Sequence, residues 1–139
     1  MKNIAKVCFF LLICYLSLFY FFSKPESWTL LDNVNLGVHE FGHLFANIVS
    51  NNEIFIAFGG TLMQLLCPIL FLFYFTRKKD MYGIIFSIFW VGQNLINISI
   101  YIADAECMRM PLLGGENSVH DWNYLLSNYE ILNKYGMIS

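Results

Sequence analysis

Three long apolar stretches constrain this chain more than any other feature. Ile4 to Phe22, Ile54 to Phe75 and Met81 to Ala103 run for 19, 22 and 23 residues, and the last two contain no charged residue. A helix rises 1.5 Å per residue, so a hydrocarbon layer of about 30 Å is crossed by about 20 residues, and each stretch is long enough. A composition of 58% hydrophobic and 13% charged residues lies outside the usual range for a fold in water. With 139 residues there is room for a single domain. The expected class is therefore all-α, an integral membrane helical bundle with three transmembrane spans, and its first partner is the lipid bilayer.

Charge placement orders the spans. Lys2 and Lys6 precede the first stretch, which reads as a signal anchor retained as span 1 over 4–22, and Pro25 ends any helix there. Arg77, Lys78 and Lys79 stand between the second stretch (54–75) and the third (81–103), so these two form an antiparallel hairpin with a basic tip. Basic loops stay in the cytoplasm, which places the N-terminus and the tip on the cytoplasmic side of the membrane. Between spans 1 and 2, residues 30–50 are amphipathic and predict an embedded or re-entrant helix. Asp32 or Asn33 would serve as its N-cap, Ser50-Asn51-Asn52 as its stop, and Gly37 and Gly42 as points of close approach to a neighbour. The tail, 104–139, lies on the outer side. Pro111 to Gly115 make a turn, and a short C-terminal helix runs to Ile131, capped by Asn117, Ser118 or Asp121, with Trp122, Tyr124 and Tyr129 as interfacial aromatics.

The chemistry is concentrated in His39-Glu40-Phe41-Gly42-His43, an HExxH sequence inside the amphipathic helix. Two histidines four apart leave the same helical face one turn apart, where both imidazoles reach one Zn²⁺ ion, and Glu40 beside them is the expected catalytic base. Two ionisable imidazoles and a carboxylate are costly near lipid without such a partner. The third donor does not follow the metzincin pattern, because Ala46 and Val49 occupy the places of its glycine and histidine. The topology brings two other candidates, Asp104 and His120, to the outer side. Whichever of these does not bind metal would stand just behind the ligands, and Asp104 or Asp121 would hold an imidazole in its ligating tautomer. Gln64 lies 13 residues before Arg77 and Gln93 lies 13 after Asp80, so they share a level of the hairpin with Asn94 and Asn97, as amides joining helices or facing substrate. Four cysteines give neither a disulfide framework nor zinc-ribbon spacing, and a net charge of −2 without a basic aromatic patch points away from nucleic acid.

On these residues the chain resembles two groups of proteins. The His39 to His43 helix is similar to that of the site-2 protease-like intramembrane zinc metalloproteases. Their third ligand is an aspartate on a later span, in an Asn-Pro-Asp-Gly or Leu-Asp-Gly setting that this chain lacks. From Leu30 onward it resembles a family of small uncharacterised bacterial integral-membrane proteins carrying HExxH. The similar segments are Phe58-Gly59-Gly60-Thr61 with Gln64, Trp90 to Asn94, Tyr101 to Ala105, Pro111 to Gly115 and His120-Asp121-Trp122. That resemblance implies that Asp104 and His120 belong to the HExxH site, and that the membrane is a bacterial cytoplasmic (inner) membrane with the site toward its outer face. The expected function is a zinc metallohydrolase, first of peptide bonds in peptide or membrane-protein substrates. The alternatives are hydrolysis of lipid or lipid-linked amides, or a non-catalytic metal-binding membrane module.

Overall fold

Helix starts in this chain are fixed by short polar side chains that take up the first free backbone N–H groups. The computed structural model describes residues 2–22, 29–110, 119–130 and 132. Among these residues there are five helices and no strand: α1 (Lys2–Phe22), α2 (Leu30–Val49), α3 (Glu53–Lys78), α4 (Met81–Ala103) and α5 (Asp121–Asn128). Asn52 caps α3 through Phe55 N, and Asp80 caps α4 through Tyr82 N and Gly83 N. The cap of α2 is Thr29, not Asp32 or Asn33. Asp32 is instead the reciprocal half of a capping box, its carboxylate accepting Thr29 N while Thr29 Oγ1 accepts Asp32 N. The cap of α5 is His120, whose Nδ1 accepts Asn123 N, and the helix closes at Asn128, before the expected Ile131. Asn117, Ser118 and the Pro111 to Gly115 turn lie outside the described residues.

α3 and α4 form the expected hairpin around Lys79, whose φ of 55° turns the chain. Phe71 meets Trp90 edge-on and Gln64 Nε2 donates to Asn97 Oδ1, which sets the antiparallel register. α2 lies antiparallel on the far half of α3. A Cβ on Gly42 would run into the Gly59 carbonyl, and one on Gly59 would lie 2.6 Å from Ala46 Cβ, so the crossing is a contact of small residues. Gly37, expected to do the same, has open space around it. α1 follows the half of α4 nearest the basic tip, with Phe9 against Tyr82 and Tyr20 against Phe89. Tyr20 also reaches Thr29 and Asp32 at the start of α2, so α1 and α2 lie end to end along the hairpin. α5 closes the other end. Trp122 Nε1 donates to Thr61 Oγ1, Asn123 Nδ2 to Ala105 O and Tyr124 OH to Glu53 Oε2.

The distribution of polarity is inverted relative to a water-soluble protein. Among the described residues nine polar or charged side chains are buried against six hydrophobic ones, while large apolar residues such as Ile4, Leu11, Leu44, Ile48, Leu70 and Ile88 are more than half exposed. α3 and α4 are both long and apolar enough to cross a membrane, and only 28% and 33% of their apolar windows are buried. The apolar part of α1, Ile4–Tyr20, is shorter.

Candidate metal centre

The site forms at the end of the hairpin away from Arg77 to Lys79. Antiparallel packing on α3 turns the histidine face of α2 toward Ile56, Gly60 and Gln64. His43 Nδ1 lies 2.8 Å from Ile56 O, a pure acceptor, so Nδ1 carries the proton and the lone pair sits on Nε2. His39 Nδ1 lies 3.1 Å from Gln64 Oε1 and takes the same tautomer. Both Nε2 atoms point at Asp121 Oδ2, at 2.9 Å from His39 and 3.2 Å from His43. Gly60 faces the same point, where a Cβ would stand 2.5 Å from each Nε2. Tyr101 OH donates to Asp121 Oδ2 at 3.2 Å and holds the carboxylate in place.

Two lone pairs and a carboxylate oxygen meeting at one point repel unless a cation lies among them, either a proton or a metal ion. The three donor atoms lie within 4.8 Å of one another, and among the described residues no other such group of three exists. Bonds of about 2.0–2.1 Å at tetrahedral angles place zinc donors roughly 3.3 Å apart, so the two spacings to Asp121 Oδ2 need to open by only a few tenths of an ångström. The group is able to hold a metal ion. Burial alone would raise the Asp121 carboxyl, but when the cation at this point is a proton carried by the imidazoles, the hydrogen bonds from His39 and His43 outweigh burial and hold the carboxyl well below its ordinary value. The cluster is open on one side: the His43 side chain is 21% exposed, that of His39 only 8%. Glu40, one residue along α2, is exposed and makes no hydrogen bond among the described residues, and its charge acts on His43 and on Tyr101.

The structure brings His39 and His43 together as expected, and places Asp104 and His120 beside each other outside the triad. Their chemistry is already committed. Asp104 accepts Arg109 N and Met110 N at 2.9 Å each, tying the chain down after α4. His120 spends its Nδ1 lone pair on the α5 cap, which leaves the proton on a buried Nε2 facing Asp104 Oδ2 at 3.6 Å. Burial lowers the His120 pKa and keeps the ring neutral, stacked on Tyr101 with centroids 4.2 Å apart. The carboxylate that meets the histidines is Asp121, read from sequence as a partner holding an imidazole. The chain matches no protein-family model, no curated protein and no solved structure.

Proposed function

We propose that this chain is a membrane-embedded zinc-dependent hydrolase that cleaves peptide bonds. One observation carries the reading: two imidazoles locked with their lone pairs on Nε2 converge on an aspartate, one residue from an exposed glutamate. Two imidazole nitrogens and one carboxylate oxygen are a donor set typical of catalytic zinc, which leaves a fourth position for water. Zinc bound here supplies an acidified water and a Lewis acid for the scissile carbonyl. Glu40 accepts the water's proton and passes it to the leaving amine, so that water and amide give acid and amine. Substrate approaches from the side of His43 and Glu40, where the cluster is open.

The membrane reading rests on the inverted burial. Phe9 against Tyr82 brings the Lys6 end of α1 toward the Arg77 to Lys79 tip, and the positive-inside rule puts that end in the cytoplasm and the metal site toward the outer face. Crossing by α1 and α2 end to end, beside the two spans of the hairpin, makes up the third passage.

Glu40→Gln in detergent-purified protein should keep one zinc per chain and lose at least about 100-fold in turnover of a fluorogenic peptide, the usual scale for a general base. Equal turnover in that variant, or zinc with no peptide cleavage in the wild type, overturns the peptidase assignment. Cleavage of a lipid-linked amide in its place would move the substrate class.

A further inference from the structure

Nine buried polar side chains are more than a metal site needs, and several of them form one directed hydrogen-bond chain. Asp32 is 4% exposed, and both of its oxygens receive only donors. Oδ1 takes Gln93 Nε2 at 2.7 Å and Asn97 Nδ2 at 3.4 Å; Oδ2 takes Thr29 N at 2.7 Å and Thr29 Oγ1 at 2.5 Å, with Tyr20 OH donating to Thr29 Oγ1 behind it. A carboxylate among four donors is acceptor-only. The direction of the amides around it then follows from residue chemistry. The Trp90 indole can only donate, so Asn35 turns its oxygen to it at 2.7 Å, gives its NH₂ to Gln93 Oε1, and Gln93 gives its own to Asp32. On the other side Asn97 presents its NH₂ to Asp32, which leaves its oxygen for Gln64 Nε2 and aims Gln64 Oε1 at His39 Nδ1.

Resting on the zinc-centre reading above, we propose that Asp32 is a positioning residue: through Asn97 and Gln64 it keeps the His39 proton on Nδ1 and its lone pair on Nε2, toward the metal. Gln64 is 5% exposed, so no bulk water can satisfy it the other way round. Turned over, it would offer its NH₂ to Nδ1, move the ring proton to Nε2, and convert a ligand into a donor aimed at Asp121. An amide alone has no preferred direction. The acceptor-only carboxylate at the far end supplies it.

The test is zinc affinity, by competition with a chromophoric chelator, together with the ¹⁵N imidazole shifts of His39 in metal-free protein. Asp32→Asn should weaken zinc about 10-fold, the lower end of the effect of losing an outer-shell partner, and shift His39 from the Nδ1–H tautomer to a mixture. Adding Gln64→Glu should restore both, because a glutamate accepts from Nδ1–H whatever happens at residue 32, and Asn97 is then free to turn its NH₂ toward it. A purely structural role for Asp32 gives no such rescue. Wild-type affinity and tautomer in Asp32→Asn, or a double variant as weak as the single, overturns the proposal. If Asp32→Asn does not fold, Asn97→Leu breaks the chain in its middle without touching the capping box and is read the same way. His39→Ala and Asp121→Ala separate the two levels: zinc retained in these removes the metal centre, whereas zinc lost in these but unchanged in Asp32→Asn removes only the part assigned to Asp32.

Discussion

His120 carries its lone pair on the nitrogen that caps α5, and Asp121, its neighbour, carries the charge that faces the histidines. The two residues therefore separate cleanly on substitution. Asp121→Ala should abolish stoichiometric zinc, because two imidazoles on one helix are left without their anionic partner. His120→Ala should keep one zinc per chain and cost roughly 1 kcal/mol of thermal stability, the usual loss for a helix cap. Metal analysis beside thermal melts reads both, and the reverse pattern would make His120 the donor. Gly60 makes a sharper case. Its missing side chain leaves the space toward which both Nε2 atoms point, and the atoms that a methyl group would strike are the ends of side chains, which can swing aside. Gly60→Ala should therefore fold and fail to hold zinc, measured as near-native melting with loss of metal.

Gly59 is one residue away, yet a side chain there meets Gly42 backbone and Ala46 Cβ, neither of which can move without parting α2 from α3. Overpacking of this kind costs about 1–3 kcal/mol. Gly59→Leu should lower the melting temperature and loosen the site together, whereas unchanged melting would show that the crossing is not close. At this scale the sequence was largely readable. The bounds of α4 were expected at 81–103 and the start of α2 at Leu30, because uncharged runs of helical length and a basic turn leave few choices. Caps were harder to read. Asp32 stands where a cap residue fits, but a threonine three residues earlier forms the reciprocal pair with it, and both arrangements satisfy the same free N–H groups. Gly37 and Gly42 look alike in sequence, yet the face on which α3 packs passes only Gly42.

For the whole molecule, hydropathy defines the hairpin but says nothing of how the tail returns to it. Asp121 lies 82 residues from His39 along the chain, after a polar segment with no periodicity, so its pairing depends on tertiary closure by Trp122 on Thr61 and Asn123 on Ala105. The HExxH pair was legible because both of its members share one helical turn; the carboxylate that meets it was not, because that pairing is set by the folded path. Orientation, by contrast, rests on charges readable at once, and it can be tested with the protein's own thiols. Cys107 is exposed beyond the end of α4 away from the basic turn, and Lys79 is exposed at the hairpin tip. In a background with Cys8, Cys14 and Cys67 changed to serine, a membrane-impermeant maleimide added to intact spheroplasts should label Cys107. Lys79→Cys in the same background, with Cys107 also serine, should label only after lysis. Labelling of Lys79→Cys alone in intact spheroplasts would invert the topology and turn the metal site toward the cytoplasm, and labelling of both would mean that the hairpin does not cross the bilayer.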